Sequence, residues 1–75
     1  MNISATILCE TMEQEEKIAS QLKALPGVTV RESTLAIAVD FAPTDTMSIS
    51  EENRSVARLI DIVESVTVHG IVVVP

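Results

Sequence analysis

The chain's 75 residues carry five Lys and Arg against eleven Asp and Glu, a net charge of −6, with 47% of residues hydrophobic and 21% charged. A chain this short has room for one core and so for one domain, residues 1–75; it is too apolar for a disordered segment and lacks the run of roughly 18 apolar residues that spans a bilayer. The acidic excess repels polyanions, and with Phe41 as the only aromatic almost nothing is present to stack on bases or sugar rings, so direct binding of nucleic acid or carbohydrate is not expected.

Cys9 is the only cysteine, which leaves no intrachain disulfide and no metal-finger spacing and fits a reducing compartment. The start, Met1-Asn2-Ile3-Ser4, lacks the basic residues and apolar run of a signal peptide, so the expected location is cytoplasmic, with no membrane association.

In chain order, Ile3, Ala5, Ile7 and Cys9 alternate with Asn2, Ser4 and Thr6, the period of a half-buried strand. Thr11 and Gln14 then form a capping box that opens a helix. Ile18, Leu22 and Leu25 make its single apolar stripe, with Glu13, Glu16, Lys17 and Ser20 turned away, and Pro26-Gly27 stops it. Val28-Thr29-Val30-Arg31, a predicted turn at Ser33-Thr34, and the alternating Leu35, Ile37, Val39 and Phe41 read as a β-hairpin whose outer face carries Thr29, Arg31, Ala36, Ala38 and Asp40.

Pro43 and Thr44-Asp45-Thr46 read as a loop, and Ser48 with Glu51 is a second capping box, opening a helix predicted to reach about Val66. Thr67-Val68-His69-Gly70 reads as a connection and Ile71-Val72-Val73-Val74 as a short closing strand, β-branched throughout, with a tail docked on a partner as the alternative. The order βαββαβ predicts an α+β fold, the split βαβ or ferredoxin-like sandwich: an antiparallel sheet with two helices on one face.

Two surfaces stand out as candidates for contact with another protein. At 100° per residue the apolar positions of the second helix fill an arc of roughly 160°, wider than the ~100° stripe that one sheet contact needs. Val56, Ile60 and Val63 lie at its centre and are expected to face the sheet. Leu59, Ile62 and Val66 lie toward one edge and, with Arg58, are the predicted partner-binding residues. The second surface is the sheet face away from the helices, where Ser4, Thr6, Ala36, Ala38, Val72 and Val74 are small and mostly uncharged. A flat face of small residues accepts another backbone closely. A chain that buries only about 60% of its unfolded surface gains burial by self-association, so this face or its edge is the predicted dimer surface.

Catalytic chemistry is not visible. His69 is the lone histidine and falls in the predicted connection, while Cys9 at an inward strand position reads as a small core hydrophobe rather than a reactive thiol. Glu15-Glu16 and Glu51-Glu52 are sequence neighbours that diverge on a helix, so neither pair is an acid/base dyad. With Gly27 and Gly70 as the only glycines there is no phosphate-cradling motif. Arg54 and Arg58, flanked by Glu51 and Asp61, read as a solvated salt-bridge row. No enzyme activity, cofactor or metal is expected.

The stretch Leu35-Ala36-Ile37-Ala38-Val39, followed by Asp45, Ile49, Ser55 and Arg58-Leu59-Ile60-Asp61-Ile62-Val63-Glu64-Ser65-Val66, resembles the small Pcc family, the dimerisation subunits of the archaeal and eukaryotic KEOPS complex. The match departs from that family at Ser50, where an arginine is usual, and at Arg54, where an asparagine is usual; the closing apolar run is also longer. The resemblance implies a non-catalytic homodimer that binds a larger protein, the catalytic subunit that makes threonylcarbamoyladenosine in tRNA, and so meets nucleic acid only indirectly through the complex.

A competing resemblance lies in Leu22-Lys23-Ala24-Leu25-Pro26-Gly27-Val28. It is similar to the helix-to-strand joint of nitrate reductase maturation chaperones and of small-molecule-sensing ferredoxin-like domains, and implies a signal-peptide- or ligand-binding module. The His-x-Ser-Ser start usual in the chaperones is missing.

Overall fold

A computed structural model describes residues 1–75. Its elements run β1 (Asn2–Leu8), α1 (Met12–Lys23), β2 (Val28–Ser33), β3 (Ala36–Phe41), α2 (Ile49–Glu64) and β4 (Thr67–Val74). The four strands form one sheet in the order β2-β3-β1-β4, each neighbouring pair antiparallel. This is the ferredoxin-like arrangement: each βαβ unit skips over one strand, so β1 and β3 occupy the middle and β2 and β4 the edges.

Local sequence sets the helix starts. Thr11 Oγ1 accepts the Gln14 N–H at 3.1 Å, while the Gln14 side chain reaches past Thr11 to accept the Glu10 N–H at 2.7 Å. At α2 the box is complete: Ser48 Oγ accepts the Glu51 N–H and Glu51 Oε1 accepts the Ser48 N–H. The expected box at Thr11 is thus only half formed, since Gln14 takes the amide of Glu10 rather than that of Thr11; each cap hydroxyl still satisfies an amide that a helix start otherwise leaves without a partner. Gly27 follows the first helix with φ of 79°, a backbone state that L side chains avoid. A Cβ there would also sit 2.9 Å from the Ala42 carbonyl oxygen and from Phe41 Cε1, so Gly27 is required on both counts.

The core is built on the two middle strands. Ile3, Ala5 and Ile7 of β1 and Ile37, Val39 and Phe41 of β3 pack under Ile18, Ala19 and Leu22 of α1 and Leu59, Ile62 and Val63 of α2, with Cys9 just beyond β1. The edge strands contribute only partly buried residues, Val28 and Val30 from β2 and Val68 from β4.

Three further sequence expectations need correction. The hairpin turn is Thr34-Leu35, one residue later than expected, because Ser33 still pairs with Ala36; Leu35 takes the left-handed conformation, φ 57°. Residues 67–70 are not a connection but the first half of β4: Ile7 pairs with Val68 and Thr6 with Gly70, so His69 is the extra residue of a β-bulge.

The third correction concerns α2, which is rotated from the expected orientation. Leu59 is 0% and Ile62 5% exposed, both in the core, Val66 is half-buried, and Ile60 is 39% exposed. A helix with a neighbour at its side is covered by the sheet below and by that neighbour, which pulls the buried arc toward the adjacent helix. Small Ser55, also buried, sits on that flank, where it shares a cleft with Ala24, Leu25 and Pro26 at the end of α1. Leu59 and Ile62 are therefore not available on the monomer surface, and Arg58 is the member of the expected partner-binding set that is exposed.

Candidate functional site

The open sheet face is where strand alternation puts it. Ser4 and Thr6 of β1 and Ala36 and Ala38 of β3 point away from the helices, partly or fully exposed. Across the strands Ser4 faces Asp40 and Thr6 faces Ala38. Ser4 Oγ donates to Asp40 Oδ1 at 2.7 Å, and Arg31 Nη2 lies 3.8 Å from Asp40 Oδ2. Asp40 thus ties all three strands β2, β3 and β1 together through side chains. With Gly70 and Val72 of β4, Ser4, Thr6, Arg31, Ala38 and Asp40 line a shallow depression of about 290 Å³. Its floor is low beside Thr6 because Gly70 brings no side chain there. The depression has one ion pair and two hydroxyl residues, Ser4, which is held by Asp40, and Thr6, with an apolar rim. It offers room for a backbone or a flat apolar group rather than a reacting pair.

The largest uncovered apolar surface is on β4. Ile71, Val72, Val73 and Val74 are 50%, 61%, 51% and 53% exposed. Their pairing with Ala5, Ser4, Ile3 and Asn2 places Ile71 and Val73 on the helix side and Val72 and Val74 on the open side. Val72 and Val74 lie on the face that carries no helix, and Ile71 and Val73 are exposed because the helix layer is narrow: α1 lies over β2 and β3, and α2 reaches β4. On α2 the flank away from α1 carries half-buried Val56 and exposed Ile60. The excess of apolar arc expected of this helix is present, but on the opposite flank from Leu59, Ile62 and Val66.

The two edges of the sheet differ. β2 shows Thr29, Arg31, Glu32 and Ser33 to solvent, the charged and polar edge that discourages pairing with another strand. Between Thr67 and Val74, β4 has no Asp, Glu, Lys or Arg. Val72 and Val74 belong to the small-residue face expected to pair with another chain, and the structure places their strand at the edge of the sheet.

The residues with reactive side chains stay apart. Cys9 is buried, and burial pushes its thiol pKa up, with the charge of Glu15 adding to the effect; a thiol held protonated is a poor nucleophile. Glu15 is buried beside the Thr34-Leu35 turn, where Oε1 accepts the Leu35 N–H at 2.7 Å. Its burial is not foreshadowed by the α1 stripe. His69 is exposed at the β4 bulge. The ion pairs of the chain join Met1 to Glu52, Lys23 to Glu32 and Arg31 to Asp40, so the expected row of Glu51, Arg54, Arg58 and Asp61 is not paired. No cluster of three or more His, Cys, Asp or Glu is placed to hold a metal ion, and no helix is long and apolar enough to cross a membrane.

Comparison with protein-family models, with curated proteins and with solved structures finds no match to this chain.

Proposed function

We propose that this protein is a non-catalytic assembly subunit, one that pairs with itself and supports a larger protein in the manner the Pcc resemblance implies. The observation that carries the reading is the exposed apolar run Ile71 to Val74 on the sheet edge, with Ile60 exposed on α2, left uncovered by the chain's own helices. Contiguous exposed apolar surface on a small domain marks a contact with another chain, and the scattered reactive side chains give the chain no evident chemistry of its own. In this reading the larger subunit performs threonylcarbamoyladenosine synthesis on tRNA, and the net charge of −6 keeps the small subunit off the nucleic acid.

Affinity purification from the source cells followed by mass spectrometry tests it. One larger protein recovered in fixed ratio to the chain supports the reading, with no tRNA shift by the chain alone. Recovery of the chain with no larger protein, at a concentration where it is folded, overturns it.

A second reading rests on the free edge of β4, which can accept an extended peptide by strand addition beside the open-face depression. Under it the chain is a small binding module of the maturation-chaperone or ligand-sensing kind. Calorimetric titration with a twin-arginine signal peptide and with small amino acids separates the two, since heat of binding is expected only from the module.

A further inference from the structure

We infer that the covering of β4 is a second copy of this chain, joined antiparallel along residues 70–74 about a two-fold axis at Val72, so that two four-stranded sheets become one of eight strands. The inference deepens the assembly reading and rests on it for the need of a partner; it names the seam and its register.

The backbone supplies the first argument. β4 pairs with β1 on one side only, so its outer row of N–H and C=O groups is a template for another strand. The usable template is short. The bulge at His69 breaks the ladder at one end, and Pro75 has no N–H to donate at the other. The straight segment is therefore 70–74, and its midpoint is Val72.

Symmetry supplies the second. Strands related by a two-fold axis perpendicular to the sheet are antiparallel, and directly opposite residues share a face. An axis at Val72 sets Val72 beside its own copy on the open face, with Gly70 opposite Val74. On the helix side Ile71 meets Val73 twice, giving four β-branched residues in a row, a favourable cross-strand set. Both helix layers fall on the same side of the joined sheet.

Charge selects the occupant. Two chains of −6 repel each other across most of their surfaces, and a partner recognised by positive charge would find no acid between Thr67 and Val74. The complement of this edge is an uncharged, β-branched strand, and residues 71–74 are such a strand. The assembly also stops at two. An isologous contact is closed, and the outer edges it leaves are the two β2 strands with Arg31 and Glu32.

Sedimentation equilibrium of the full chain tests the pairing. The wild type is expected at twice 8.1 kDa, and Val72→Lys or Val73→Lys at 8.1 kDa with dissociation at least tenfold easier, since a charged side chain on an edge blocks strand addition. Both positions are half or more exposed, so the folded circular-dichroism spectrum should persist. Should either variant unfold, concentration-dependent amide exchange in the wild type decides the matter: the 71–74 amides should gain protection as concentration rises. Oxidation of Val72→Cys should give a disulfide dimer faster than Val74→Cys, with buried Cys9 silent. A wild type that stays at 8.1 kDa at millimolar concentration, or a dimer indifferent to lysine at both positions, overturns the inference. A monomer that still co-purifies with a larger protein overturns the self-pairing and leaves standing only the support of a larger protein. A dimer with no larger partner does the reverse.

Discussion

Glu15 holds Leu35 in a conformation that leucine does not favour. Leu35, with φ 57°, has its N–H bound by Glu15 Oε1 at 2.7 Å and its carbonyl bound by the Cys9 N–H at 2.8 Å. The left-handed state costs a non-glycine residue roughly 1–2 kcal/mol, and two hydrogen bonds from separate elements fix it there. Glu15→Ala leaves the Leu35 N–H without its partner and is expected to lower stability by about 1–3 kcal/mol. Glu15→Gln keeps a carbonyl acceptor and should lose less. Urea unfolding of the two variants measures this. Equal stabilities of Glu15→Ala and wild type would mean that water replaces the bond and that the turn does not depend on α1.

The rotation of α2 makes an opposed pair of predictions. Ile62→Glu places a charge inside the core, where it has no partner, and should leave the chain unfolded or molten at neutral pH. Ile60→Glu lies on the exposed flank and should leave the melting temperature of the monomer within a few degrees of wild type. Leu59→Ala, removing a fully buried side chain, should cost about 2–5 kcal/mol. A folded Ile62→Glu variant with a normal melt would return that residue to the surface and reverse the assignment of the two flanks.

Much of the fold is legible in local sequence, because the signals act over a few residues. The capping pairs Thr11 with Gln14 and Ser48 with Glu51 need only a three-residue spacing, and the inward set of Ile3, Ala5 and Ile7 needs only period two. The open-face positions of Ser4, Thr6, Ala36 and Ala38 follow from the same alternation. What escapes is what long-range assembly decides. Periodicity gives the width of the α2 arc but not which flank meets α1, so Ile60 and Ile62 exchange roles. His69-Gly70 has the composition of a turn, yet it forms a bulged strand because β1 supplies a ladder on which it continues. Glu15 is buried by an amide 20 residues away, a relation with no local trace. On β4 the same alternation puts Val72 and Val74 on the open face, whereas the exposure of Ile71 and Val73 on the helix side depends on how little of the edge strand α2 covers.

The contact between α1 and the edge of β2 carries a pH dependence of known sign. Lys23 Nζ donates to Glu32 Oε2 at 2.9 Å, and this bond, with the lysine charge, holds the Glu32 carboxyl below its usual pKa. A folded-state pKa below the unfolded value gives stability that is present above the unfolded value of about 4.3 and is lost as pH falls through the folded one. Both side chains are partly exposed, so the effect is small and screened by salt. Lys23→Met is expected to melt slightly below wild type at pH 7 in low salt, with the gap closing near pH 3. A gap that persists unchanged at pH 3 would assign it to packing of the lysine stem instead.

Cys9 gives the opposite dependence at the alkaline end. Burial, with the charge of Glu15 behind it, raises the thiol pKa in the folded chain, so the folded state favours the protonated form. The resulting stability is intact below the unfolded pKa of about 8.5 and declines as pH rises through the folded value, because the unfolded chain ionises first. Thiolate is the species that reacts with maleimides and disulfide reagents, so native Cys9 should label far more slowly than the same residue in urea, with a rate that follows the opening of the fold. Cys9→Ala should flatten the fall in stability above pH 9. Fast labelling of the native chain at pH 8, equal to that of the unfolded chain, would place the thiol in solvent and remove Cys9 from the core beside Leu35.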